Sequence, residues 1–399
     1  MKARNKVLSI VLSLVLIGTM TFVLFIKEHN YYIVLDSRKA NNFISPSVEN
    51  IMNHEFQDKF ETAFQDQMIG RSKFLILFNR IENALNYLSS RTHNDYTLYK
   101  IGKNVYKFDK GGDYLLEFPL YKNEREDENV IKASNNINEL ARKYNNINFY
   151  VCQGFRLNVV DWFDEDNDIV SYGIQYRDLF SNNLDERIKY NAYYPANLEE
   201  YKKYFYKTDP HWNTYGSYEF GYKKIVDMLN ENYHDLTYLE PVGEYVYENY
   251  DYYGQYGRES LYLTSPDTFI DLKFDVPNYT TIVNGKEEKY DHIQEFENGT
   301  ADPTMKAYIY SFLHGNDEKE VIFNTENNNG RVLLSFVDSY SSPIKYLIAS
   351  HFDKAIFIDL RLYPDFNIDE YVNEYGVTDI LYLAFHGTLY SPSNIINID

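Results

Sequence analysis

The stretch YKTDPHWNTYGSYEFGY, residues 206–222, places an acid and an imidazole two positions apart with a proline between them. Pro210 restricts Asp209 to an extended conformation. In an extended segment, residues i and i+2 point to the same side. The Asp209 carboxylate is therefore within reach of the His211 ring. Three readings fit such a pair: a surface turn, half of a metal site, or two members of a Ser-His-Asp array that lacks its nucleophile. Other histidines, such as His292, His314, His351 and His386, show no i,i+4 or paired-ligand spacing, so no metal ligand set is predicted.

A nucleophile of that array belongs where a sheet strand ends and a helix begins, because free helical N–H groups face an oxyanion there. The segment VLLSFVDSYSSPIKYL, 332–347, has that form. An apolar strand runs to Val337, Asp338 and Ser339 follow, and Pro343 lies early in the next helix, a position helices tolerate. Ser339 then sits at the carboxyl edge of the sheet, where open α/β folds bind ligands. The bland alternative is a helix-capping serine. If Ser339 is the nucleophile, His211 is its general base and acid and Asp209 the orienting carboxylate. Asp338 is expected to shape the turn, and the backbone N–H of Tyr340 to face the oxyanion. Arg361, two residues after Asp359, either orients the acyl oxygen or a sugar, or forms an ion pair with Asp359 or Asp365. Trp212 is a further candidate contact and is expected to hold the Asp-x-His loop against the sheet.

These residues need a scaffold. The C-terminal third alternates apolar strands (331–337, 355–360, 378–385) with helical stretches, which implies a parallel sheet flanked by helices. Upstream, NNINELARKYNNINFYVCQG gives a helix and then a strand at 147–151. Tyr218, Tyr222, Ile225 and Leu229 make an amphipathic helix capped near Asn213 or Thr214. Phe56, Phe60, Phe64 and Met68, then Phe74, Leu77, Phe78, Ile81 and Leu85, predict two helices broken at Gly70-Arg71-Ser72. Residues 240–330 lose helical period and carry Asn-Gly at 284–285 and 329–330, which predicts a β-rich insertion with a hairpin at YTTIVNGKEEKY.

The chain of 399 residues is 44% hydrophobic and 17% aromatic, enough for a large core. Its formal charge of −20 argues against a nucleic-acid partner and against docking on anionic lipid head groups. Cys152 is the only cysteine, so there is no intrachain disulfide and no CxxC motif. Lys2, Arg4 and Lys6 precede an uncharged run at 7–26 about as long as a bilayer core is thick. With no small-residue cleavage site behind it, this run predicts a signal anchor. The basic tip places residues 1–27 as cytoplasmic end and transmembrane span. Residues 28–50 are then a stalk, and 51–399 one extracytoplasmic domain.

Several of these segments together resemble the DHHW/alginate O-acetyltransferase family, membrane-anchored relatives of the SGNH hydrolases. They are FQDQMIGRSKF (64–74), TDPHWNTYGSY (208–218), YYGQYGRES (252–260), the Ser339 segment through Asp359-x-Arg361, and GVTDILYLAF (376–385). The chain departs from the pattern at Val337, where the family has glycine before Asp-Ser, and at Pro210, which replaces the first histidine of the tetrad. The resemblance implies an SGNH-hydrolase-like fold and acetyl transfer through an acetyl-serine, without a cofactor. It also implies a polysaccharide acceptor and a membrane-bound O-acyltransferase as donor partner. Two alternatives use the same residues differently: an acetylesterase with water as acceptor, and a non-catalytic glycan-binding scaffold. Asp66, Gln67 and Arg71 match the family but fall at a helix end, and are read as structural.

Overall fold

The computed structural model describes residues 2–33, 35, 38–90, 98–102, 104–108, 112–160, 170–248, 251–288, 307–308, 310, 314–315 and 317–397. His292 and part of the expected insertion lie outside the described residues. The main sheet has eight strands, here numbered in chain order. They are β1 (Asn148–Gly154), β2 (Lys189–Ala192), β3 (Tyr279–Val283), β4 (Lys286–Glu287), β5 (Glu320–Thr325), β6 (Val332–Val337), β7 (Lys354–Ile358) and β8 (Asp379–Phe385). In space they run β4-β3-β5-β7-β6-β8-β1-β2.

From β7 to β2 every pairing is parallel, as the strand–helix alternation predicts. The other edge is antiparallel, so the sheet is mixed rather than wholly parallel. That edge comes from the β-rich stretch 240–330. Its hairpin β3–β4 turns at Asn284 and Gly285, both with positive φ, the pattern a two-residue hairpin turn requires. Two strands of the same stretch, Pro241–Val246 and Ile270–Phe274, pair separately.

Alternate residues of each central strand face opposite layers. Tyr150, Cys152, Leu333, Phe357 and Leu381 pack with Trp212, Tyr222, Ile225 and Leu229. Phe149, Val151, Leu334, Ile356 and Ile380 pack with Ile137, Leu140 and Phe180. Helices thus cover both faces. The Lys223–Tyr233 helix follows the Asp-x-His loop through one π-helical turn, Ser217–Tyr222, and Asn213 caps its start by accepting from the Gly216 N–H at 3.0 Å.

At the amino end of the sheet, buried Asp379 ties this helix to two strands. It accepts from Tyr233 Oη at 2.5 Å, Tyr150 Oη at 3.2 Å, and Asn148 Nδ2 and Thr378 Oγ1 at 3.1 and 2.6 Å. Cys152 is buried in β1, and burial pushes its thiol up to about 12.

Near the amino terminus, the Lys2–Phe25 helix contains a stretch, Lys6–Phe25, long and apolar enough to cross a membrane. Residues 28–50, predicted as a stalk, carry a short pairing of Tyr32–Ile33 with Arg38–Lys39. The two helices predicted beyond it are Glu55–Gln67 and Arg71–Ser90, separated at Gly70, whose φ is +70°.

Replacing Asp379 with alanine strands several buried donors, so Asp379→Ala is expected to cost about 2–4 kcal/mol of stability in denaturant unfolding.

Candidate active site

β6 ends at Val337, and the chain turns into a single 3-10 turn, Ser339–Ser341. Asp338 fixes that turn. Its Oδ1 accepts from the Tyr340 N–H at 3.0 Å and its Oδ2 from the Phe385 N–H at 3.0 Å, which fastens the elbow to the end of β8. Burial raises the Asp338 carboxyl above the ordinary range, against the N–H groups of Tyr340 and Phe385 and the charge of Arg361. Half-buried Ser339 is left at the carboxyl edge of the sheet.

Asp209 and His211 meet it there. Ser339 Oγ lies 2.8 Å from His211 Nε2, and His211 Nδ1 lies 2.5 Å from Asp209 Oδ1. A carboxylate only accepts, so Nδ1 carries the ring proton and Nε2 faces the serine as acceptor. Asp209 is 1% and His211 7% exposed. Asp209 also accepts from its own loop, at 3.1 Å from the His211 N–H, and from the Gln255 N–H at 2.9 Å through Oδ2. Burial acts to raise this carboxyl, but the charge and ring N–H of His211, with the two backbone N–H groups, outweigh it and hold Asp209 at about 2. Such an array can take the proton of Ser339 and return it.

The three residues singled out from the sequence are brought together here, by parts that the sequence did not signal. Asp267 accepts from the Lys207 N–H at 3.0 Å and from the N–H and hydroxyl of Thr208 at 2.9 and 2.5 Å, pinning the segment that delivers Asp209. Burial raises the Asp267 carboxyl to about 6 in spite of these donors. Gly254 lies so close that a β-carbon on it would fall 2.1 Å from Asp209 Cβ. This assigns a physical role to the Tyr/Gly segment 252–260: glycine lets the Gln255 N–H approach the carboxylate. Tyr310 stacks its ring on His211, centroids 3.9 Å apart and planes at 16°, and its hydroxyl donates to the Ser339 carbonyl at 3.1 Å. Nothing in the local sequence around Tyr310 signals that contact.

The three secondary candidates, Tyr340, Trp212 and Arg361, are all engaged within the fold. The Tyr340 N–H is engaged by Asp338, so it is not the open donor expected; among the described residues the Ser339 N–H has no acceptor. The Tyr340 side chain is fully buried, with its hydroxyl 2.7 Å from both the Phe155 and Pro210 carbonyl oxygens. Trp212 is also buried and donates from Nε1 to the Tyr340 carbonyl at 3.2 Å, so it holds the loop, as expected, and does not line an open site. Arg361 is an ion-pair residue here. Its Nε donates to Asp359 at 2.9 and 3.2 Å, and its Nη2 to Asp359 at 2.5 Å and Asp317 at 2.8 Å.

Beside the elbow, Arg156 pairs with Glu117 at 3.0 Å and lies over the Phe385 ring, 3.8 Å from its centroid. Burial, with Arg156 nearby, lowers His386 to about 3, so this imidazole is neutral. Among the described residues no cluster of side chains has the makings of a metal site.

The fold has known counterparts. PatB1 from Bacillus cereus superposes with a TM-score of 0.58 at 19% identity, over 71% of this chain and 96% of that one. A second PatB1 structure, with a sulfonyl adduct, gives 0.54 at 17% identity, over 71% and 97%. A DHHW family protein from Eubacterium siraeum gives 0.56 at 20% identity, over 74% and 94%. No family model matches the chain, and no curated protein matches it. The chain therefore shares the fold of PatB1 and of the DHHW family protein.

Two outcomes follow from the geometry. Gly254→Ala is expected to lower turnover of an activated ester by roughly a hundredfold by displacing Asp209, with circular dichroism unchanged. Asp209 has a folded value below the ordinary 3.8, so the folded chain binds fewer protons than the unfolded one. Its stabilisation is present above about pH 4 and lost as the pH falls towards about 2. Unfolding measured across that window should show a shallower acid loss in Asp209→Asn than in the parent chain.

Proposed function

We propose that this protein is a membrane-anchored, extracytoplasmic O-acetyltransferase that moves an acetyl group through Ser339 to a hydroxyl of an exopolysaccharide or cell-wall glycan. The observation that carries the reading is the buried Asp209–His211–Ser339 hydrogen-bond chain at the carboxyl edge of the sheet. The resemblance of the sequence segments to the DHHW/alginate O-acetyltransferase family supports the choice of acetyl transfer. The shared fold with a DHHW family protein agrees with it. The Lys6–Phe25 stretch serves as the signal anchor, with the domain from residue 51 onward outside the cell.

In the first half-reaction His211 Nε2 takes the Ser339 proton as Oγ attacks the acetyl carbonyl of the donor. The tetrahedral oxyanion is received by the Ser339 N–H, since the Tyr340 N–H is committed to Asp338. Collapse breaks the bond to the donor oxygen or sulfur, which leaves with the proton from His211. In the second half-reaction His211 deprotonates the acceptor hydroxyl, which attacks acetyl-Ser339. The acetyl group passes to the glycan and the proton returns to Ser339. Asp209 stabilises the imidazolium in both halves. A membrane-bound O-acyltransferase supplies the acetyl group outside the cell, where acetyl-CoA is not at hand. The charge of −20 favours a neutral glycan over a polyanion.

Tyr310 supports the base in either half-reaction: its ring stacks on His211, which fixes the imidazole plane and favours the imidazolium when Nε2 takes the proton.

The full chain in detergent, supplied with an aryl acetate and a neutral glycan oligosaccharide, should form the acetylated oligosaccharide faster than free acetate. Tyr310→Leu should lower ester turnover roughly tenfold, whereas Tyr310→Phe keeps the stacked ring and most of the rate. Free acetate alone from the parent chain would make the protein an esterase. No turnover at any pH would leave the scaffold reading.

A further inference from the structure

The Arg71–Ser90 helix has one buried face and one that nothing covers among the described residues. Leu75 and Ile76 pack towards Ile33, Leu35 and Tyr262, and Asn79 donates to the Ser260 carbonyl at 2.7 Å. On the opposite side Phe74, Leu77, Phe78, Ile81 and Leu85 are 54–70% exposed. Their spacing of 3, 1, 3 and 4 gathers them within an arc of about 100° and over a length of about 16 Å. A contiguous stripe of this size is uncommon on a protein surface and marks a contact.

Three observations point to the lipid interface as its occupant. The helix starts four residues after a joint, at the end of the preceding helix, that fastens the chain beside the exit of the anchor. Gln67 accepts from the Asn30 N–H at 2.6 Å and from Lys27 Nζ at 3.4 Å, and donates to the Asn30 carbonyl at 3.0 Å. Asp66, clamped by Arg38 at 2.7 Å, completes that joint. These are residues of the 64–74 segment that the catalytic reading leaves without a part.

Between the tether and the helix, Met68 and Ile69 are also exposed and extend apolar surface towards the anchor. Finally, exposed Lys73 and Arg80 flank the stripe on one side and exposed Glu82 on the other, in a chain whose overall charge is −20. An apolar helix face with basic side chains along one edge is the pattern of helices that lie in the headgroup–acyl boundary.

We propose that the Phe74–Leu85 face lies in the interface of the bilayer that the anchor spans, giving the domain a second attachment to lipid. The proposal rests on the reading of Lys6–Phe25 as a membrane span. Two attachments, one across the bilayer and one along its surface, hold the domain in a fixed orientation that a single helix would leave free. The carboxyl edge of the sheet, where Ser339 lies, is then presented to the membrane-borne donor at a set height.

The test uses the full chain reconstituted in phosphatidylglycerol–phosphatidylethanolamine vesicles whose acyl chains are brominated just below the headgroup. Phe78→Trp reports the stripe, and Val242→Trp, exposed on a separate strand, reports the rest of the surface. The parent chain supplies the background from the two native tryptophans. The added Phe78→Trp emission should lose roughly half its intensity to bromine, and Val242→Trp should lose none. Equal quenching of the two overturns the proposal. So does an Ile81 photo-crosslink to a membrane protein in native membranes without bromine quenching, which assigns the face to a protein. Flotation after an alkaline wash reads the anchor separately. A chain that floats with Phe78→Trp unquenched overturns only the interfacial helix, whereas a chain washed off the vesicles overturns the anchor.

Discussion

The contact between Ser339 Oγ and His211 Nε2 joins two segments 128 residues apart, and its geometry depends on how Tyr340 is buried between them. The ring of Tyr340 fills the space over Gly154, where a β-carbon would come within 2.7 Å of it. Its hydroxyl reaches the Pro210 and Phe155 carbonyls, and its own carbonyl receives the Trp212 indole N–H. One side chain thus spans the end of β1, the Asp-x-His loop and the serine elbow. Pro210, which replaces a histidine in the resembling family, contributes its carbonyl to this joint, so the substitution leaves the positions of Asp209 and His211 intact.

Around that joint, each polar group at the sheet edge is restrained from more than one direction. Asp338 links the elbow to β8, Gln255 closes the second oxygen of Asp209, and Asp267 holds the residues just before it. Arg361 is fixed by Asp359 and Asp317. An array held in this way needs little reorganisation when charge moves through it, which is what proton transfer at a serine requires. The same economy applies beyond the N-terminal apolar helix, where Gln67 and Asp66 accept from the backbone N–H groups of Asn30 and Asn41.

Much of this was legible in the sequence, because it rests on local patterns. The apolar strands at 332–337 and 379–385, the Asp-x-His spacing, the Asn-Gly hairpin and the capped helix after Trp212 are all short-range signals. What escaped is non-local. Tyr310 meets His211 from a distant segment, Gln255 uses only its backbone, and the need for glycine at 254 comes from the approach of Asp209. The polar strand β2 carries no apolar run to announce it. The Tyr340 N–H was expected to face an oxyanion, but a side chain two residues away, Asp338, accepts from it, and sequence gives no orientation for that carboxylate. Val337, where the chain departs from the family's glycine before Asp-Ser, is buried in the sheet core and is followed by a 3-10 turn.

The central claim is that His211 activates Ser339 as a nucleophile. The most direct measurement is intact mass and peptide mapping of the full chain after exposure to an activated acetyl ester, beside Ser339→Ala and His211→Ala. The account predicts a single acetyl group on Ser339, absent from Ser339→Ala and formed at least about a hundredfold more slowly in His211→Ala. Acetylation elsewhere, or at Ser339 with equal speed when His211 is gone, would contradict it.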